Sequence, residues 1–201
     1  MIKIILLDID GLIIRKKRMF SRRLEKEFGI SARVIQPFFK GVFLKCETGK
    51  TDLKKELKKI IPVWGWKRSV GKLLDYWFNA EAETERTMLN FVDRLRASGF
   101  KIFLQTNQER YRAAFLWHEV GLKKHFHGIF SSCDLGYLKP SQLFWKEIHK
   151  KLLPIQKSEV MVWDDGILNV ASAKKFGYKT YLYQNFASFR KRILALQKHQ
   201  K

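Results

Sequence analysis

The chain has 201 residues, 46% of them hydrophobic, enough for one substantial core or for a core with a small inserted module. Its opening apolar stretch meets Asp8 and Asp10 too soon for a signal-peptide core, and no apolar run approaches the roughly 18 residues that span a bilayer; a cytoplasmic location with no membrane partner is expected. Forty Lys and Arg against 19 acids give a formal charge of +21, which favours phosphorylated or polyanionic partners.

In chain order, residues 2–7 form an apolar run broken only by Lys3 and ending at an acidic turn, which predicts a buried parallel strand. Some 70 residues then show helical periodicity and no strand pattern, an inserted helical module of four helices. Leu24 and Phe28 share one face, and Val34, Ile35, Phe38 and Phe39 another. Thr51 is placed to cap a helix carrying Leu53, Leu57 and Ile60, and a fourth helix over 69–78 groups Val70, Leu73, Leu74 and Trp77. Cys46 and Cys133 lack any paired spacing, which argues against a disulfide framework or a zinc site and for two reduced thiols.

The remainder alternates. Helices are expected over 85–97, 110–120, 141–152 and 168–176, closed by Gly99, Gly121, Pro154 and Gly177. Strands are expected over 101–105, 128–131, 160–163 and 180–183. Alternation of this kind predicts an α/β fold with a doubly wound parallel sheet, whose ligands sit at the strands' carboxyl ends. His125 and His127 fall in a loop between two of these elements, match no metal-binding pattern, and read as surface residues.

Chemistry-bearing residues collect at those ends. The first strand runs into Asp8-Ile9-Asp10-Gly11, two carboxylates two residues apart. The next ends in Thr106-Asn107, a hydroxyl and backbone amides suited to an anion. Lys139-Pro140 precedes a helix, and residues 162–166 deliver Asp164-Asp165-Gly166 with Asn169 following. Taken singly, each has a bland reading: strand-end acids serve solubility, Thr-Asn opens many loops, a lone lysine is usually solvated, and paired acids cap helices. The ordered set is another matter, because chance rarely places all four at the ends of successive strands.

On these motifs the sequence resembles the haloacid dehalogenase-like (HAD) hydrolases over nearly its whole length. Asp8-Ile9-Asp10-Gly11 matches motif one, Thr106 motif two, Lys139 motif three and Asp164-Asp165 motif four. The resemblance implies a Rossmann-like core over 1–14 and 85–201 with a helical cap over 15–84. It implies a phosphatase in which Asp8 is the nucleophile, Asp10 the acid and then the base, and Lys139 the neutralising cation. Thr106 and the Asn107 amide hold phosphate oxygens, while Asp8, the Asp10 carbonyl, Asp164 and Asp165 bind magnesium (Mg2+). Keeping both Asp8 and Asp10 resembles the phosphatases and not the dehalogenases, which lack the second acid. Two positions depart from the family pattern: Leu12 stands where threonine is usual, and Gly166 where serine is frequent.

Charge counting supports the metal independently. Ionised Asp8, Asp164 and Asp165 facing a phosphate dianion sum to about −5, and Lys139 with a magnesium ion reduces this to about −2. Asp10 must hold a proton to assist the leaving group.

The expected substrate is a small phosphorylated metabolite, a sugar phosphate or nucleotide. Basic residues of the insertion, among them Arg15, Lys16, Lys17, Arg22, Arg23 and Lys50, either recognise a second anionic group or keep the module soluble. A rival reading is a HAD-fold protein that binds nucleic acid or another polyanion through its basic surface, with little or no catalysis. The six tryptophans bear on it, since they fall mostly among apolar positions, as core residues do.

Overall fold

A computed structural model describes residues 1–15 and 20–198 of the chain. Lys16 and Lys17, two of the basic residues noted in the insertion, lie outside the described residues.

The first strand, β1 (Ile4–Leu7), is buried along its whole length. After it come five helices in succession: α1 (Phe20–Phe28), α2 (Ala32–Lys40), α3 (Val42–Glu47), α4 (Leu53–Trp64) and α5 (Val70–Ala80). The chain then alternates through α6 (Arg86–Ala97), β2 (Lys101–Thr106), α7 (Arg110–His118), β3 (Ile129–Ser131), α8 (Ser132–Leu135), α9 (Gln142–Leu152), β4 (Val160–Asp164), α10 (Ile167–Phe176), β5 (Lys179–Leu182) and α11 (Phe186–Lys198).

The five strands form one parallel sheet in the order β3-β2-β1-β4-β5. Strand β1 lies in the middle, so the chain winds outward on one side through β2 and β3 and then crosses to the other through β4 and β5. That reversal leaves a crevice at the carboxyl ends of β1 and β4. The sheet is covered on both faces because its side chains alternate with period two. Ile5, Leu7, Ile102, Leu104, Met161 and Trp163 pack on one face with α6 and Phe189 of α11. Ile4, Leu6, Val160 and Val162 pack on the other with Phe144, Trp145 and Ile148 of α9.

Helices α1 to α5 have a hydrophobic cluster of their own, built from Leu24, Ile35, Leu53, Leu57, Leu73 and several aromatic rings. The two connections between this module and the sheet run side by side: the Arg15 amide donates to Glu83 O and the Glu85 amide to Ile13 O, both at 2.8 Å. The Arg15 guanidinium ties the pair by bonding Glu83 and Glu85 at 2.8 and 2.6 Å.

Local differences from the sequence expectation have physical causes. Helix α4 is capped by Asp52, whose carboxylate accepts from the Lys55 amide at 2.9 Å. Thr51, the expected cap, stands one residue earlier and gives its hydroxyl to Glu56 at 2.8 Å. Among the described residues the module has five helices where four were expected; α3 is only six residues long, too short for a periodicity to register. Strand β5 begins one residue earlier than expected, and α11 was not anticipated at all.

Candidate active site

Sheet register brings the motifs together. Leu7 pairs with both Leu104 and Trp163, so the residues that follow them, Asp8, Gln105 and Asp164, emerge at one level of the crevice. The Asp8 amide is tied back to Trp163 O at 3.0 Å. Its carboxylate is almost wholly buried, with Oδ1 accepting from the Ile9 amide at 2.8 Å and from Lys139 Nζ at 2.9 Å.

Lys139 is the hub. Its ammonium also meets Asp164 Oδ2 at 2.7 Å, with side-chain exposures of 2% for Lys139 and 0% for Asp164. Burying an ammonium is costly unless it is paired on several sides, and the surroundings are built for that. Asn107 clamps the lysine's backbone, its Oδ1 accepting from Lys139 N at 2.8 Å and its Nδ2 donating to Lys139 O at 3.1 Å. The Lys139-Pro140 bond is cis, and Pro140 O accepts from Ser172 Oγ of α10, which takes further bonds from Gln142 Nε2 at 2.8 Å and Trp145 Nε1 at 3.0 Å. Asp164 is held by four donors: Oδ1 takes the Gly166 amide and Asn169 Nδ2 at 2.7 and 2.9 Å, and Oδ2 takes Gln105 Nε2 at 3.1 Å besides Lys139.

Electrostatics follow from this packing. Burial pushes the Asp8 carboxyl up to about 7; Lys139 opposes the shift, while Asp164 and Asp10 add to it. Burial acts on Asp164 in the same sense, yet the Lys139 charge with the Lys139, Asn169 and Gln105 hydrogen bonds outweighs it and holds Asp164 below the usual carboxylate range. For Lys139, burial would favour the neutral amine, and the two carboxylates overcome it and hold the ammonium charged.

Asp8, Asp164 and Asp165 each offer an oxygen within 4.8 Å of the others. Three carboxylates with no sulfur or imidazole among them form a hard-donor set of the kind that suits magnesium. One ammonium cannot neutralise them. The residues present therefore fit a divalent cation.

Thr106 ends β2 and is buried. Asp10 stands apart from the Lys139 cluster. Its Oδ2 accepts from Gln108 Nε2, and its Oδ1 from Arg112 Nη2 at 3.1 Å. Gln108 and Arg112 were not singled out in the sequence, and neither were Gln105 and Ser132. Only the Asn-Gln-Glu-Arg stretch over 107–110, directly after motif two, marks Gln108; it stops short of Arg112 and carries no fixed meaning without the fold. Of the expected basic cap residues, Arg15 is consumed by Glu83 and Glu85, and Arg23 pairs with Glu27 at 3.2 Å and lies over the Tyr76 ring.

With this geometry in place, the comparison with known proteins is direct. The sequence model of the haloacid dehalogenase-like hydrolases matches residues 2–177. The chain is a haloacid dehalogenase-like hydrolase. Among its relatives within and near that family, a D-ribitol-5-phosphate phosphatase of Bacteroides thetaiotaomicron is 22% identical over 205 residues, covering 98% of each chain. A predicted HAD-like family hydrolase from Porphyromonas gingivalis superposes with a TM-score of 0.79 at 24% identity, covering 96% of this chain and 98% of that one. A HAD family enzyme of Bacteroides thetaiotaomicron, crystallised with magnesium and inorganic phosphate, gives 0.78 at 20% identity over 91% and 94% of the two chains. Both superpositions show the same overall fold over nearly the whole chain. Among the described residues no helix is long and apolar enough to cross a membrane.

Proposed function

We propose that this hydrolase is a magnesium-dependent phosphatase that cleaves a small phosphate monoester through an aspartyl-phosphate on Asp8. The observation that carries the reading is the buried Asp8–Lys139–Asp164 cluster with Asp165 beside it: a carboxylate fixed by two donors, one buried cation, and a hard-oxygen metal cradle.

Asp8, Asp164 and Asp165, with the Asp10 carbonyl by family resemblance, would hold the magnesium ion, which supplies charge neutralisation and orientation for a phosphate dianion. The chain's own residues do the rest. Lys139 holds Asp8 in place and offsets the phosphate's charge. Thr106 and the Asn107 amide bind phosphate oxygens. An Asp8 oxygen attacks phosphorus as the bond to the leaving oxygen breaks, and Asp10 gives that oxygen a proton. Asp10 then takes a proton from the water that attacks the aspartyl-phosphate, releasing inorganic phosphate and restoring Asp8.

Residues 15–84 are the cap over this cleft, and the leaving group is chosen beneath it. The nature of the B. thetaiotaomicron relative makes sugar and sugar-alcohol phosphates the first substrates to try. A small ligand is favoured over nucleic acid by the burial of Trp64, Trp66, Trp77, Trp145 and Trp163, all at most 6% exposed and so withdrawn from base stacking.

The test is hydrolysis of an aryl phosphate by wild type and Asp8→Asn, each with magnesium and with chelator. Turnover that requires both the metal and Asp8 is expected. Turnover that survives the loss of either would sink the mechanism.

A further inference from the structure

Arg112 has no part in the chemistry set out above, yet it sits against it. It lies on α7, three residues past the Glu109 cap, and is 5% exposed. A guanidinium buried to that degree is costly unless its donors are matched. Here the matching is partial. Nη2 donates to Asp10 Oδ1 and to the backbone O of Glu81, both at 3.1 Å. Among the described residues Nη1 reaches only Glu81 Oε2, at 3.7 Å, and makes no hydrogen bond. A residue kept only for stability would be better served by an apolar side chain of similar volume.

Its two carboxylate neighbours belong to different parts of the molecule. Glu81 is the C-cap of α5 at the end of the helical module. It fastens the module's two ends, with Oε1 accepting from the Phe20 amide at 2.7 Å and Oε2 from Trp77 Nε1 at 3.1 Å. Asp10 belongs to the loop after β1, and its second oxygen is held by the side chain of Gln108, whose backbone amide donates in turn to Ser132 Oγ at 3.0 Å. Arg112 is thus the link between the acid–base carboxylate and the module that covers the cleft.

We propose that Arg112 is the positioning residue of Asp10, fixing the direction of its carboxylate and setting that direction by the seating of the cap through Glu81. The inference rests on the phosphatase reading above, because it gives Asp10 its proton-transfer role. A proton donor contributes only when it is within hydrogen-bond reach of the leaving oxygen. Two-point support by Gln108 and Arg112 removes the rotation that would take it out of reach.

The experiment separates positioning from mere stabilisation by leaving-group dependence. An aryl phosphate with a good leaving group needs no proton from Asp10 to form the aspartyl-phosphate, whereas breakdown of that intermediate needs Asp10 as base. Wild type, Asp10→Asn, Arg112→Met and the double variant are compared with magnesium by rapid-mixing and steady-state kinetics. Arg112→Met is expected to keep a burst of about one phenolate per enzyme and to lose about 10- to 100-fold in the steady state. Asp10→Asn should lose about 10²- to 10⁴-fold. The double variant should turn over no more slowly than Asp10→Asn, since a positioner has no effect once its target is gone.

A burst that shrinks in step with the steady state, or losses that multiply in the double variant, would show a structural role and overturn the proposal. Should Arg112→Met fail to fold, Arg112→Lys keeps the buried charge and takes its place in the same cycle, with a partial loss expected. A wild type without Asp8-dependent turnover ends the phosphatase reading and this inference together. A wild type and Asp10→Asn that behave as described, beside an Arg112 variant that does not, end this inference alone.

Discussion

The carboxyl end of the sheet and the helical module bury opposite kinds of matter. At the strand ends the molecule buries charge: Asp8, Lys139 and Asp164 are 7%, 6% and 0% exposed, and nearly every polar atom among them is matched by an amide, an amine or a carboxamide. In the module it buries rings. Phe20 stacks on Trp77 at 4.8 Å between centroids, and Phe38, Phe39 and Trp64 crowd edge to face around them. The first region is fixed by backbone register and by directional bonds, so it tolerates no change of atom type. The second is held by area and shape and should tolerate rearrangement. Sensitivity of function should therefore concentrate at the strand ends, and sensitivity of the module should show as graded loss of stability.

The largest expected effect is that of Asp8→Asn, which keeps the shape of the side chain and removes the charge of the proposed nucleophile. Loss of magnesium-dependent phosphate ester hydrolysis by about 10⁴-fold or more is expected, with a melting temperature at or above that of wild type because a raised carboxyl has been made neutral. A folded Asn variant retaining a tenth of the activity would break the contrast between the two regions.

Next is Lys139→Met. It strands Asp8 and Asp164 in a site without their cation, and breaking such a pair from one side costs about 3–5 kcal/mol. Because the Asp8 carboxyl already lies up at about 7 with Lys139 present, the variant relieves part of the cost by taking up a proton. Denaturant unfolding should therefore show a larger loss at pH 8 than at pH 6, and an equal loss at both would mean that Asp8 stays ionised.

The wild type carries the same proton in weaker form. The folded pKa of Asp8 is raised from an ordinary 3.8 to about 7, and that of Glu47 from 4.5 to about 7, in the latter case by burial first and then by Glu109 and Asp10. Between those values the native protein binds more protons than the unfolded chain, so metal-free stability falls as pH rises from about 4 through 7. On the proposed reading magnesium would bind the ionised Asp8, so it is expected to raise the melting temperature more at pH 8 than at pH 6. A gain that does not change with pH would show that metal binding releases no proton from the cluster.

Much of this was legible in the sequence, for a reason visible in particular residues. Asp8, Thr106, Asp164 and Asp165 were found because each lies at or just after the end of an apolar strand, and a parallel sheet brings all such ends to one edge. Lys139 was found by its proline and by the order of the motifs. Gln105, Gln108 and Arg112 were not, although they make the bonds that orient Asp164 and Asp10. The roles of Gln108 and Arg112 depend on which way a loop and a helix turn after β2, and that of Gln105 on which strand lies across from it; no periodicity encodes either. The position of Asp52 as the cap of α4 was missed by one residue for a similar reason, since Thr51 and Asp52 are both good caps and only the backbone decides between them.

The smallest expected effects sharpen the comparison where the two regions touch. Gly49 and Gly65 both belong to the helical module and both have positive φ, +68° and +76°. A side chain at either pays the cost of a left-handed backbone, about 1 kcal/mol. At Gly65 that is the whole cost, because a Cβ there has open space around it. At Gly49 the same Cβ would lie 2.5 Å from the backbone oxygen of Cys133, on the strand-end side of the molecule, where Ser132 Oγ also donates to Glu47 O at 2.6 Å. A backbone oxygen on a hydrogen-bonded turn cannot move aside cheaply, so Gly49→Ala must lift the module's turn away from the cleft. Gly65→Ala should therefore lower the melting temperature with the Michaelis constant unchanged, whereas Gly49→Ala should lower it further and raise the Michaelis constant as well. Equal effects of the two on both quantities would mean that the turn carrying Glu47 is not what seats the module over Asp8.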